Sequence, residues 1–240
     1  MRLDIYLVTT NRCESRSKAQ DLIKDGVVTV NKIIVRKPSF MVSTLDLVEL
    51  NLVNDSFVSR SAHKLKQALD EFKIDLSNKT VLDIGASTGG FTECALLYGA
   101  AFVYAVDVGT NQLHTKLKSL PNVCSLEQTD ARNLLISDFS REIDFICVDV
   151  SFISVKNILP HISKLLYDSK EVVILVKPQF ELEKKYQIKN GIIKNEKLRL
   201  KTLTSVKDEA IKYGFIILNE TVSQTPGRAG NIEYLLHLKK

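Results

Sequence analysis

The chain has 240 residues, 45% of them hydrophobic, enough for one ordinary domain and a small companion with a packed core. Its net charge of +5 suits a polyanionic partner without requiring one; its four scattered cysteines, Cys13, Cys94, Cys124 and Cys147, offer neither a C-x-x-C pair nor a histidine at ligand spacing, so no metal centre and no disulfide framework is expected. Arg2 and Asp4 interrupt the amino terminus and no run approaches the roughly eighteen apolar residues of a spanning helix, so the expectation is a cytoplasmic protein without a leader or a membrane partner.

In chain order, residues 3–8 read as an amphipathic helix and 9–12 as a turn. Residues 15–26 read as a second helix that Ser15 can cap and Gly26 can end in a left-handed residue. Residues 27–35 form two short strands about an Asn31-Lys32 turn, and 42–52 supply more strand. Residues 1–40 hold eight basic and four acidic side chains, so most of the excess charge lies here. Arg16, Lys18, Lys32, Arg36 and Lys37 are the candidate grip on an RNA backbone, against the alternative of merely solvated lysines. The series Arg2-Leu3-Asp4, Ser15-Arg16-Ser17-x-Ala19 and Gly26-x-Val28-x-Val30-Asn31 closely resembles the S4 RNA-binding domain, over about 50 residues. The expected division is a small α+β S4-like domain with its linker at 1–58 and a larger domain at 59–240.

From Leu65 onward short apolar strands alternate with helical segments, the pattern of an α/β sheet covered on both faces. Strands are expected at 80–84, 102–107, 123–126, 143–149, 171–177, 215–222 and 233–238, and helices at 61–72, 91–97, 113–120, 155–166 and 195–213. Only a turn-rich connection through Pro226-Gly227 separates the last two strands, so the final strand is expected to run antiparallel. A seven-stranded Rossmann-like sheet with such a tail resembles the methyltransferase form of the fold.

Ligands of open α/β sheets bind beyond the carboxyl ends of the strands, where the first strand here ends as Asp83-Ile84-Gly85-Ala86-Ser87-Thr88-Gly89-Gly90-Phe91. Gly85, Gly89 and Gly90 permit close backbone approach, while Ser87 occupies the middle glycine of a dinucleotide fingerprint. Asp83 is a poor neighbour for pyrophosphate and suits the sulfonium and amino group of S-adenosylmethionine. Asp107 after the second strand is placed for ribose hydroxyls, and Asp130 with Ala131 after the third is placed for adenine. Each aspartate taken alone is about as readily a helix cap or a turn residue.

Asp149 and Lys177 close the fourth and fifth strands of this set, Lys64 lies on the preceding helix and Glu233 opens the last strand. Charges at the ends of apolar strands need a partner or a task, and unrelated ion pairs are the plain alternative. Their order and contexts resemble the Lys-Asp-Lys-Glu tetrad of FtsJ-type ribose 2′-O-methyltransferases. With Asp149-Val150-Ser151-Phe152-Ile153-Ser154, Val176-Lys177-Pro178-Gln179-Phe180 and the S4-like module, nearly the whole chain is similar to the TlyA family. A ribose hydroxyl must lose its proton as the methyl arrives, which a neutral Lys177 can accept; Asp149 and Glu233 orient the two amines, and no metal is required. Phe152 can stack on a target base, although a core phenylalanine is commoner. Residues 177–207 carry nine basic and three acidic side chains, and Lys184, Lys185 and Lys189, with Arg60, complete the candidate RNA contacts.

The family's glycine-rich segment before the first tetrad lysine is replaced here by Ser59-Arg60-Ser61-Ala62-His63. The resemblance to the shorter family type implies 2′-O-methylation of a cytidine in 23S rRNA, with a large ribosomal subunit as partner. A non-catalytic RNA-binding or assembly factor, a small-molecule methyltransferase and a membrane-lytic haemolysin, a name family members have borne, are the competing readings. An intact tetrad disfavours the first, the basic module the second, and the lack of a long apolar run the third.

Overall fold

The computed structural model describes residues 1–13, 15–50, 57–167, 169–182, 191–227 and 230–240. The chain forms two compact units, Met1–Ser56 and Phe57–Lys240.

In the first unit, α1 (Leu3–Thr9) and α2 (Arg16–Asp25) pack on a three-stranded sheet of β1 (Val28–Val30), β2 (Ile33–Ile34) and β3 (Val48–Leu50), in the order β2-β1-β3 with both pairings antiparallel. Asn31 and Lys32 both take positive φ, 52° and 67°, the type I′ geometry that matches the twist of a tight hairpin. Gly26 ends α2 at φ +78°, as the sequence leads one to expect. Leu3, Leu7, Ala19, Ile23 and Val28 form the core. Within it Asp4 is fully buried, accepting from Arg2 at 2.9 and 3.0 Å, from Arg16 Nε at 3.0 Å and from Gln20 at 3.0 Å. The Arg2 hydrogen bond, more than any other contact, holds its carboxyl well below the usual range against the opposing pull of burial. The strand expected over 42–52 shortens to Val48–Leu50, residues 51–52 lying outside the described ones. Asp46 is the reason: it accepts from Ser43 N at 2.7 Å and Asn31 Nδ2 at 2.8 Å, making a turn where the ladder would run.

In the second unit the elements are α3 (Ala62–Phe72), β4 (Thr80–Ile84), α4 (Gly90–Leu97), β5 (Phe102–Val106), α5 (Thr115–Lys118), β6 (Val123–Leu126), β7 (Phe145–Val148), α6 (Leu159–Leu165), β8 (Glu171–Val176), α7 (Pro178–Glu181), α8 (Glu196–Lys212), β9 (Ile216–Val222) and β10 (Tyr234–Lys239). The sheet order is β6-β5-β4-β7-β8-β10-β9. Strands β4 to β8 pair in parallel, and β10 runs antiparallel to both β8 and β9, so the last strand inserts between its two predecessors. This is the α/β, seven-stranded, antiparallel-tailed sheet read from the sequence. Alternate residues feed two cores: Leu82, Ile146, Val172 and Leu236 meet α6 and α8, while Val81, Phe145, Val173 and Leu235 meet α3 and α4.

Two helices are shorter than expected. His114 Nδ1 accepts from Lys116 N at 3.2 Å and starts α5 at Thr115, while Pro121 closes off its end. The helix expected over 155–166 divides into a 3-10 turn at Val155–Asn157 and α6, because Pro160 lacks an N–H and suits the first turn of a new helix.

Candidate active site

The chain runs from β4 outward to β5 and β6 and returns to β7 on the other side of β4. That reversal opens a crevice at the carboxyl ends of β4 and β7, the place where doubly wound sheets bind ligands. Gly85 follows β4 at φ +83°, and a Cβ there would lie 2.6 Å from the Asp149 carbonyl oxygen and 2.9 Å from its carbon. Only glycine lets the β4 loop touch the β7 loop, backbone against backbone. Ser87 at φ 49° and Gly89 at φ 96° continue the turn, and Asp107 braces it, accepting from Ser87 N at 2.8 Å and Gly109 N at 2.7 Å. Glu127, which sequence reasoning missed, gathers the amides of Asn111, Gln112 and Leu113 beside it.

Asp83 is fully buried. Its Oδ2 accepts from the Thr92 hydroxyl at 2.7 Å, and its Oδ1 has no hydrogen-bond partner among the described residues. Burial pushes the carboxyl up to about 7; the Thr92 hydroxyl opposes this and the Asp149 charge adds to it. A buried, half-satisfied carboxylate beneath a glycine loop calls for a donor or a positive charge.

The other expected cofactor residues divide. Ala86 packs with Leu113 and Leu117 in the wall of the crevice, and Ala131 is buried after β6. Asp130 caps the 3-10 turn Ala131–Asn133, and its carboxylate is held by the Arg132 guanidinium at 2.6 Å, which drives it down to about 2. Phe91 is corrected: its ring, 2% exposed, lies in the core with Leu65 and Leu69, leaving only its main chain near the loop. Gly90 has a packing task as well, since a Cβ there would collide with Ser61 Oγ and crowd the Ala62 amide. That close contact accommodates the non-glycine segment before Lys64, where Ser61 is ordinary helical backbone.

The four tetrad residues converge. Val148 pairs with Ile174 on neighbouring strands, and Val176 pairs with Tyr234 on the antiparallel one. Asp149, Lys177 and Glu233 therefore emerge from one edge of the sheet, and α3 brings Lys64. Lys64 Nζ meets Glu233 Oε2 at 2.6 Å, with side chains only 9% and 3% exposed. Lys177 Nζ lies 2.6 Å from Asp149 Oδ1, off the axis of a directed hydrogen bond, and donates to Ser151 Oγ at 2.8 Å. Gln179 Nε2 donates to Glu233 Oε1 at 3.3 Å, so the residue two beyond Lys177 reaches the other pair. Ser151 and Gln179 stood in the quoted motifs without a role. Phe152 is no core phenylalanine: it is 92% exposed, sits at φ +65°, and its ring centroid lies 5.2 Å from that of Phe180. A bulky side chain in the left-handed region is strained by about 1–3 kcal/mol and persists only where its surroundings hold it.

Residues 57–240 match the FtsJ-like methyltransferase family and residues 1–48 match the S4 domain. The chain is 45% identical over 238 residues to Hemolysin A of Brachyspira hyodysenteriae, covering 99% of each chain. The chain belongs to the TlyA family of FtsJ-like methyltransferases. A Mycobacterium tuberculosis relative named 16S/23S rRNA (cytidine-2′-O)-methyltransferase TlyA is 39% identical over 241 residues, 99% of this chain and 89% of its own. A solved structure of a relative from Streptococcus thermophilus superposes with a TM-score of 0.80 at 40% identity, covering 100% of this chain and 88% of that one.

S-adenosylmethionine is the cofactor of this fold and family, and the crevice fits it. The orphaned Asp83 oxygen, the Gly85 and Gly89 turns and the Asp107 carboxylate would hold it. Of the expected RNA contacts, Lys32 and Lys37 are exposed. Arg16 is engaged with Asp4, and Arg36 Nη1 caps the Lys24 carbonyl at 2.9 Å. Arg60 is half-buried ahead of α3. Lys184, Lys185, Lys189 and the side chain of Lys18 lie outside the described residues. No helix among the described residues is long and apolar enough to cross a membrane, and no cluster of metal-ligating side chains occurs among them.

Proposed function

We propose that the chain methylates a cytidine 2′-hydroxyl of 23S rRNA within the large ribosomal subunit, in the cytoplasm. The observation that carries this reading is the convergence of the Lys64–Glu233 and Lys177–Asp149 pairs at the edge of the crevice. Bound in that crevice, S-adenosylmethionine supplies an electrophilic methyl group on a sulfonium.

The protein's own residues handle the hydroxyl. Lys177 takes the 2′-hydroxyl proton, with Asp149 and Ser151 fixing the direction of its amine. Lys64, oriented by Glu233 and through it by Gln179, supplies the positive charge beside the developing oxyanion. Phe152 offers its exposed face to the target base. The S4 unit grips RNA phosphates through Lys18, Lys32 and Lys37, with Arg16 and Arg36 holding that unit together, and Arg60 and the basic segment 177–207, with Lys184, Lys185 and Lys189, supply further phosphate contacts. The division of labour follows the two units, Met1–Ser56 and Phe57–Lys240, two residues ahead of the 58/59 limit read from the sequence.

The test is transfer of labelled methyl from S-adenosylmethionine into purified 50S and 30S subunits and free rRNA, with the product nucleoside identified. The expected result is 2′-O-methylcytidine from wild type and none from Lys177→Ala, while Lys177→Ala still binds the cofactor. Cofactor binding without transfer to any RNA would replace this reading with that of a non-catalytic assembly factor.

A further inference from the structure

Glu181 ends α7, four residues after Lys177, and is 7% exposed. No salt bridge reaches it among the described residues, and burial pushes its carboxyl above the ordinary range despite two hydrogen bonds. Those bonds cross to the loop after β7: Ser154 Oγ donates to Oε2 at 2.5 Å, and Val155 N donates to Oε1 at 2.8 Å. Ser154 Oγ in turn accepts from Lys156 N at 3.2 Å, so the hydroxyl's donor capacity is committed to Glu181. Two donors facing one side chain require two acceptors. Glutamine offers one acceptor oxygen in that geometry and aspartate is a methylene short, whereas the glutamate carboxyl sets one oxygen before each donor. A buried carboxylate kept at such cost needs a task.

Its place in the chain supplies one. The loop over residues 149–155 carries Asp149, Ser151 and the strained Phe152, and α7 carries Lys177 at its start and Glu181 at its end. At the near end the two segments are clasped by Lys177 on Asp149 and Ser151, and at the far end by Glu181 on Ser154 and Val155. Between the clasps Phe152 is solvent-exposed, with Phe180 as its aromatic neighbour among the described residues, so φ +65° there relies on the two clasps that flank it. Without the far clasp the strained backbone relaxes and draws Ser151 away from Lys177.

We infer that Glu181 is a positioning residue: it locks the 149–155 loop to α7 and so sets the direction of the Lys177 amine. This rests on the methyltransferase reading above, and Glu181 itself touches neither substrate.

The test compares Glu181→Ala, Glu181→Gln and Ser154→Ala with wild type, by amide exchange of residues 151–155, by steady-state methyl transfer and by thermal melting. In Glu181→Ala the loop amides exchange faster, kcat falls on the order of 10- to 100-fold, and KM for S-adenosylmethionine is unchanged, because misplacement acts on the reacting geometry alone. Glu181→Gln, which keeps one acceptor, recovers much of kcat. Ser154→Ala, which removes one bond, shifts both readouts the same way by less, and it carries the test if Glu181→Ala does not fold. Loop exchange as in wild type, a loosened loop with unchanged kcat, or kcat and KM changing together with the melting temperature would each overturn the inference. If wild type itself transfers no methyl, the proposed function fails. The clamp is then judged by loop exchange and by whether a crystal structure of Glu181→Ala loses the Lys177–Ser151 contact; a retained contact refutes it.

Discussion

The buried Lys64–Glu233 pair separates stability from catalysis in one experiment. With side chains 9% and 3% exposed and 2.6 Å between Nζ and Oε2, each ion has given up most of its water and relies on the other. Removing one partner of such a pair costs about 3–5 kcal/mol, because the survivor stays buried without its counter-charge. Replacing both by apolar side chains of similar volume leaves no stranded charge and returns stability to within about 1 kcal/mol of wild type. The expected cycle is therefore Lys64→Met and Glu233→Leu each strongly destabilised, the double variant near wild type, and a coupling of about 5 kcal/mol or more. Urea denaturation at pH 7, following the transition of the Phe57–Lys240 unit by far-UV circular dichroism, measures it. Methyl transfer should be lost in all three variants, so the double regains the fold without the activity. Single variants costing under about 1 kcal/mol, strict additivity, or a double variant that transfers methyl would refute the reasoning.

Asp83 makes the ligand-free protein pH-sensitive. Its folded carboxyl titrates at about 7 against an ordinary value of 3.8, so between those limits the native state binds the extra proton. Stability then falls as pH rises from about 4 to 7, by up to a few kcal/mol, and is flat on either side; melting across that range should show the slope in wild type and its loss in Asp83→Asn. Asp4 gives the opposite sign in the first unit, because its folded value is depressed chiefly by Arg2. That contribution is present above the ordinary carboxylate range and is lost progressively as pH falls below that range toward the depressed folded value. Amide exchange in α1 and α2 should rise on acidification in wild type and already be raised at pH 7 in Asp4→Asn.

Local signals account for much of the fold. Short, mostly apolar segments placed β4 and β6 at their observed limits, and the Asn31-Lys32 pair and Gly26 announced positive φ where the backbone has it. These were legible because a strand's period and a turn's dihedrals depend on residues a few positions apart. The tetrad was legible for a related reason: a charge closing an apolar strand stands out against its neighbours. What it pairs with does not stand out. Lys64 and Glu233 are 169 residues apart, and they meet only because β10 inserts between β8 and β9, which no local pattern encodes. Packing likewise turned the Phe91 ring into the core and left Phe152 outside, and it committed Arg16 to Asp4 and Arg36 to the end of α2. It also joined Glu181 to Ser154, 27 positions away. The sequence by itself determined which residues form strands and turns and which charges stand at strand ends. Which of those charges face each other was decided only when the sheet closed, because pairing energy depends on burial and distance, and neither exists before the chain is packed.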